Sequence, residues 1–193
     1  MGWQARAVTS GRVWFVGVLV LALVGGWWFG GGRALGAVTV ETVASPDCSG
    51  TRVVRAPWDG QRVQAVELRR TMDCTLALRI RNDSWVPVTL DELRLPLMGP
   101  DAGAAVRVET VQIDGTEERP LPRGVAAVFP LDRRLGRDST LDVTVRYTYR
   151  PDGCTALGVL QVPAARVPTG FLLRSRAVQA EPVHFAGTTE TNC

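Results

Sequence analysis

An uncharged, strongly apolar stretch runs from Val13 to Gly32, and it constrains the whole chain because a segment of this kind partitions into lipid. As a helix it would be about 30 Å long, the thickness of a hydrocarbon core. Lipid offers no hydrogen-bond partners to the backbone, so the stretch is predicted to be helical. Tryptophans lie toward both of its ends, where amphipathic rings prefer the headgroup layer. The sequence therefore predicts one transmembrane helix that contacts the lipid bilayer through residues 13–32.

The charges around this stretch predict its orientation. The preceding residues include two arginines and no acid, whereas two acids follow soon after Arg33. By the positive-inside rule the N-terminus is then cytoplasmic and the C-terminal part extracytoplasmic, in a single-pass protein of the cell membrane. The predicted organisation is a cytoplasmic tail at 1–12, a transmembrane signal anchor at 13–32, a linker at 33–36 and an extracytoplasmic domain at 37–193.

A cleavable signal peptide is the alternative interpretation of the same stretch. Ala34 and Gly36 are small residues with the spacing of a signal-peptidase site. The apolar run is longer than the usual h-region of about 7–15 residues, which favours retention as an anchor. Both interpretations export the same domain.

Positive and negative charges balance in the part of the chain beyond the apolar stretch. All 22 basic residues are arginines; three flank the stretch, and the remainder equal the 19 acids in number. Such a neutral, mixed surface has no electrostatic footprint for nucleic acid, so no nucleic-acid partner is predicted. The arginine cluster from Asp132 to Asp138 has an acid at each end, and it is predicted to be a self-neutralised turn rather than an anion site.

Four cysteines, all beyond the apolar stretch, predict two disulfides in an oxidising compartment. Their separations favour pairing Cys48 with Cys74 and Cys154 with Cys193. A pairing of Cys74 with Cys154 across two sheets is the alternative. A zinc site is not favoured, because the chain has no CxxC or HxxxH spacing and a single histidine, His184. His184 alternates with apolar neighbours and is predicted to face solvent.

The exported part is predicted to be all-β. Strict alternation from Leu141 to Tyr149, and again from Thr75 to Arg81, gives each strand one buried and one wet face. The alternating apolar positions change from even-numbered to odd-numbered residues near Asp91-Glu92, which predicts a β-bulge there. Pro57–Gly60 and Asp114–Gly115 have the residues of tight turns. Further strands are predicted at 37–43, 51–56, 62–68, 86–97, 105–113, 125–129, 156–162, 170–174 and 178–185, with a loop at 163–168.

The segment Thr75–Asn82, a turn and then Pro87–Leu90 form a strand–turn–strand unit, and the alternating run into Tyr149 follows later. In pattern this resembles the immunoglobulin-like or fibronectin-III-like domains of bacterial single-span membrane proteins. The Cys, Trp, Cys order of immunoglobulin domains is matched by Cys74, Trp85 and Cys154. The chain departs from that family because no tyrosine precedes Cys154 by two residues and because Trp85 directly follows a turn. The resemblance implies an immunoglobulin-like β-sandwich preceded by one N-terminal transmembrane helix.

Sequence patterns for catalysis are missing from the chain. It has no GxSxG, HExxH, SxxK or phosphate-loop motif, and the predicted disulfides occupy every thiol. No catalytic, cofactor-binding or metal-binding residue is therefore predicted. No cofactor is expected, and the protein is not predicted to be an enzyme.

The favoured hypothesis is a non-catalytic, membrane-anchored domain that binds or scaffolds another cell-envelope protein. Trp58 and Trp85 lie in or beside predicted turns and are the candidate partner contacts, with burial in the core as the alternative for both. The alternative functions are a small-ligand or metal carrier and an envelope enzyme without a recognisable motif. Metal carriage would have few soft ligands available, namely one histidine and two methionines in the exported part.

Overall fold

The structure, a computed structural model, describes residues 8–193. Residues 1–7 of the predicted cytoplasmic tail lie outside this range. One helix is followed by fourteen strands, which confirms the prediction of an all-β domain after one N-terminal apolar helix. The elements are α1 (Val8–Gly36), β1 (Val38–Thr42), β2 (Asp47–Ser49), β3 (Val53–Trp58), β4 (Gln61–Glu67), β5 (Asp73–Asn82), β6 (Val88–Leu95), β7 (Val106–Ile113), β8 (Thr116–Glu118), β9 (Ala127–Leu135), β10 (Ser139–Tyr149), β11 (Gly158–Val162), β12 (Arg166–Phe171), β13 (Arg174–Gln179) and β14 (Val183–Gly187).

The strands form three sheets. Sheet A has the order β1-β5-β10-β7-β8, and β2 also pairs with β5. Sheet B has the order β11-β14-β4-β3, and sheet C has the order β13-β12-β6-β9. Paired strands are antiparallel except β14 and β4, which are parallel. β1 of sheet A begins directly after α1, and β12 and β13 of sheet C contact α1, so the strands of both sheets have a helix-proximal and a helix-distal end.

Alternating apolar residues from all three sheets form one buried core cluster. The register of β6 against β9 shifts between Leu90 and Glu92, which confirms the predicted bulge. At this shift Asp91 of β6 lies opposite two residues of β9, and Leu90 and Leu93 on either side of it are both buried although they are three positions apart. The central strand β10 buries Leu141, Val143, Val145 and Tyr147.

Two predicted turns are confirmed as tight hairpin connections. Asp59 and Gly60 join β3 to β4, and Asp114 and Gly115 join β7 to β8. All four residues have positive φ: 46° and 74° in the first turn, and 49° and 81° in the second. Positive φ at both central positions defines the type I′ turn, which asparagine, aspartate and glycine tolerate best.

The predicted turn at Asp132–Asp138 is wrong over its first half. Strand β9 continues from Ala127 through Leu135, and only the residues after it turn toward β10. Phe129, Leu131 and Leu135 are buried along the inner face of β9. The charged residues between them are the consecutive Asp132, Arg133 and Arg134, which stay exposed or half-exposed, and Arg133 bonds Asp114. A run of charged residues therefore does not by itself mark the end of a strand.

The last part of the chain also differs from the prediction. The predicted loop at 163–168 includes the first residues of β12, which begins at Arg166. The predicted strand at 170–174 crosses the hairpin between β12 and β13, and the one at 178–185 covers the end of β13 and the start of β14. Val167 and Thr169 both point inward and are fully buried, so burial sets the strand despite Pro168 between them.

The two disulfides have the pairing that the sequence separations favour. Cys48 lies directly opposite Cys74 in the β2–β5 ladder, with Cα atoms 4.1 Å apart. Cys154 pairs with Cys193, with Cα atoms 4.9 Å apart. The pairing of Cys74 with Cys154 is therefore absent, and the immunoglobulin order of Cys, Trp, Cys is coincidental here.

Residues 33–36, the predicted linker, belong to α1, which continues without a break to Gly36. Ala34 and Leu35 are buried, and Leu35 belongs to the main core with an exposed fraction of 3%. Glycines permit this packing. A Cβ added at Gly31 would lie only 3.3 Å from Cδ of Arg174 in β13. The end of the helix is thus a part of the β-domain rather than a tether.

Candidate binding groove

A groove of about 610 Å³ opens between the turn that follows β1 and the strands β4 and β14. Nine of its fourteen lining residues are apolar, and five are polar. Across the rim, the Ser45 hydroxyl donates a hydrogen bond to Oε1 of Gln64 at 3.1 Å. Size and lining are those of typical ligand pockets. The lining residues are Thr42, Ala44, Ser45, Pro46, Val53, Val63, Gln64, Ala65, Val66, Leu76, Glu181, Pro182, Val183 and His184.

The groove lies at the helix-distal end of the domain. β1 leads away from α1, from Val38 to Thr42, and at the rise of an extended strand this covers about 13 Å. The turn that forms one wall of the groove comes after that distance. The groove therefore opens on the side of the domain away from α1.

Trp58 lies beside the groove and packs on His184. The two ring centroids are 6.2 Å apart, with the ring planes inclined by 58°. Both side chains are half-buried. His184 is therefore not fully exposed to solvent, in contrast to the prediction. Burial lowers the pKa of His184 below its ordinary value, since the imidazolium loses hydration there. At neutral pH His184 therefore presents a neutral ring to the groove.

The lowered pKa of His184 predicts a pH dependence of stability. The unfolded chain binds a proton at this residue more readily than the folded domain does, so stability is lost as the pH falls below the ordinary histidine value of about 6.5. We expect the H184N variant to lose less stability than the wild type between pH 7.5 and 5.5 in urea titrations. Equal losses in both proteins would contradict this origin, since the carboxylates are common to both.

The second candidate contact, Trp85, lies at the opposite end of the domain. The buried Asn82 amide donates hydrogen bonds to the carbonyls of Val86 and Gly136, at 2.9 and 2.8 Å, and so fixes the loop that carries Trp85. The Trp85 side chain remains 67% exposed. Its Cζ2 lies 3.8 Å from the position of a Cβ at Gly30 of α1. The structure therefore separates the two tryptophans, with only Trp58 beside the groove.

A second, polar cleft of about 660 Å³ lies on the outer face of sheet A, but its charges are mostly engaged. Arg107 bonds Glu109 at 2.6 Å, and Arg146 bonds Asp73 at 2.9 Å. The pKa of Asp73 is lowered, first by its hydrogen bond from Arg146. Arg150 is buried and donates to the carbonyl oxygens of Gly99, Pro100 and Ala104. These groups stabilise the sheet and its loops and leave little free charge for a ligand.

Among residues 8–193, no three histidine, cysteine, aspartate or glutamate side chains are close enough together to hold a metal ion. The groove itself was not predicted. It joins segments that are more than a hundred residues apart in sequence, and no local motif marks their meeting. Neither a model of a known protein family nor a curated protein sequence matches the chain.

Proposed function

We propose that the chain is a single-pass membrane protein that holds a non-catalytic, immunoglobulin-like β-sandwich outside the membrane, where it binds an extended peptide segment of another cell-envelope protein. The observation that carries this proposal is the groove, with its mainly apolar lining, at the end of the domain opposite α1. Such a site is accessible to a partner while the helix lies in lipid.

The anchor is supported by the helix itself. By length and composition, Val16–Gly36 could cross a membrane. Most of the large apolar side chains that the structure describes between Trp14 and Phe29 are exposed rather than packed in the domain. Retention of the helix is favoured over cleavage because a cut after Gly36 would remove Leu35 from the core.

The location outside the cytoplasm is supported by the disulfides. All four cysteines are paired, and such bonds persist in oxidising compartments. The positive-inside rule gives the same orientation, with the N-terminus in the cytoplasm. The bacterial cell envelope supplies both conditions.

The chemistry of the groove defines what it would bind. Glu181 is the acidic residue of the lining, and the lowered pKa of His184 keeps that ring neutral at neutral pH. Gln64 and Ser45 offer hydrogen-bonding groups at the rim. A peptide that inserts an apolar side chain among the apolar lining residues and presents amide or cationic donors to Glu181 matches this lining.

Site-specific photocrosslinking in the native membrane tests the proposal. With p-benzoylphenylalanine in place of Ser45, we expect a crosslink to one defined partner. The Val63→Trp substitution, which fills the groove, should weaken that crosslink by roughly tenfold. The matched control places the same probe at Ser175, which is exposed on β13 at the helix-proximal end.

The proposal fails if the probes at positions 45 and 175 give the same adduct, or if Val63→Trp leaves the adduct unchanged. Urea titration of the V63W variant shows whether the domain remains folded. If V63W loses both its fold and the crosslink, a competition experiment replaces it. Excess peptide from the crosslinked partner should then reduce the adduct of the folded protein that carries the probe at position 45.

Small-ligand carriage is the second candidate, and one observation favours it. The Tyr147 hydroxyl is buried and has no hydrogen-bond partner among the described residues. Tyr147 lines an internal cavity of about 10 Å³, the size of one water molecule, and this cavity shares Leu76, Glu181 and Val183 with the groove. Burial raises the pKa of Tyr147, so the hydroxyl stays protonated and can donate to a ligand or to water. Native mass spectrometry of the purified chain would reveal a retained small molecule.

A further inference from the structure

The β12–β13 hairpin has an apolar tip made of Leu172 and Leu173. Their exposed fractions are 68% and 91%, and the latter is the highest of any large apolar side chain in the described residues. Leu172 has a φ of 54°, in the left-handed region that side chains such as leucine rarely adopt. The hairpins at Asp59–Gly60 and Asp114–Gly115 have the residues that suit such backbone angles. The leucines therefore serve something other than the geometry of the turn.

The residues beside the hairpin tip contact a short stretch of α1. The guanidinium of Arg174 lies 4.0 Å from the ring centroid of Trp28 and donates a hydrogen bond to its carbonyl oxygen. A Cβ at Gly31 would lie 3.7 Å from Cδ1 of Phe171. The Trp85 ring meets the helix at Gly30. These contacts place the hairpin tip and Trp85 beside helix residues 28–32.

Helix residues 28–32 also mark where a bilayer around α1 would end. The indole of Trp28 favours the headgroup layer, and a charged guanidinium such as that of Arg174 is costly deeper in the hydrocarbon. One helical turn farther on, a Cβ at Gly36 would lie 3.4 Å from Nη1 of Arg176, about 6 Å farther along the helix axis than Gly32. The strand β13 thus leads from the lipid surface outward, and its tip points back toward the lipid.

The charges at this end of the domain suit an anionic surface. The acids of the neighbouring loops are paired with arginines, as in Arg81–Asp83, Arg133–Asp114 and Arg137–Asp138. Arg33, Arg174 and Arg176 form no salt bridge with residues in the described range. Their positive charge is therefore available to lipid phosphates.

We infer that this helix-proximal face is a second membrane contact, in which Leu172, Leu173 and Trp85 insert into the interfacial layer and Arg174 and Arg176 bind lipid phosphates. The inference rests on the anchoring part of the proposed function. It gives the hairpin and Trp85 a common partner, the outer surface of the membrane that α1 spans. It also holds the domain in one orientation, with the groove facing away from the lipid.

An environment-sensitive label tests this contact in the full chain. The native cysteines are all in disulfides, so L173C supplies a single free thiol for the fluorophore NBD. L157C is the matched control, because Leu157 is also exposed (60%) but follows Cys154 at the helix-distal end. The labelled chains are reconstituted in vesicles of about three parts phosphatidylcholine to one part phosphatidylglycerol.

The label at position 173 should emit at shorter wavelength than the label at 157, and nitroxide lipids should quench it roughly fivefold more strongly. Equal quenching by aqueous iodide at both positions would overturn the inference. Flotation of the same vesicles separates this result from a failure of the anchor. A chain that floats with the lipid but keeps position 173 in water disproves only the second contact, whereas a chain that does not float disproves the anchor as well.

Discussion

Replacing Leu35 with alanine is expected to lower the free energy of unfolding of the β-domain by about 2–5 kcal/mol. Leu35 belongs to the helix by its backbone and to the main core by its side chain, of which only 3% is exposed. Truncation removes apolar contacts and leaves a cavity between α1 and the sheets. Urea titration of the full chain in detergent micelles, followed by tryptophan fluorescence and circular dichroism, measures the change.

The matched control is L157A, which truncates a leucine that is 60% exposed and should change stability by less than about 0.5 kcal/mol. If L35A costs no more than L157A, residues 33–36 behave as the linker that the sequence suggests. A large cost for L35A would mean that the helix end and the domain unfold together.

The sequence predicts the apolar helix but not the packing of its C-terminal end, to which Leu35 belongs. The apolar length of Val13–Gly32 predicts a helix correctly, since only local composition is needed. The glycines at 30–32 suggest a flexible end, but their lack of side chains instead lets Arg174 and Phe171 pack against the helix. That contact joins residues about 140 positions apart in sequence, and no local pattern reports it.

The strands show the same division between local and distant information. β5 and β10 are predicted closely because each alternates strictly, and a one-residue slip would turn the whole buried row outward. β9 is only partly predicted, because its arginines and neighbouring acids are typical of a turn. The burial of Leu135, which extends the strand past them, is not evident from the sequence. Trp58 and Trp85 look alike in sequence, yet the first packs on His184 and the second on α1. The groove between β4 and β14 depends wholly on tertiary packing.

Removal of the second disulfide, by the double substitution C154A and C193A, is expected to lower the free energy of unfolding by roughly 3–4 kcal/mol. The bond closes a loop over a sequence separation of 39 and so restricts the unfolded chain. It also holds the C-terminal segment, where the amide of Thr155 donates to the carbonyl of Thr191 at 3.0 Å. Hydrogen exchange should then become faster in β11 and β14 before the rest of the domain.

The pair C48A and C74A is the matched control, because its separation of 26 gives a similar chain-entropy effect. Cys48 and Cys74 lie in strands that are already paired, so their removal should leave local hydrogen exchange in β11 and β14 unchanged. Non-reducing peptide mapping verifies the remaining bond in each variant. If the loss of Cys154 and Cys193 changed neither urea stability nor exchange at the C-terminus, the bond would not constrain the domain. The C-terminal wall of the groove, which β14 forms, would then be held by sheet pairing alone.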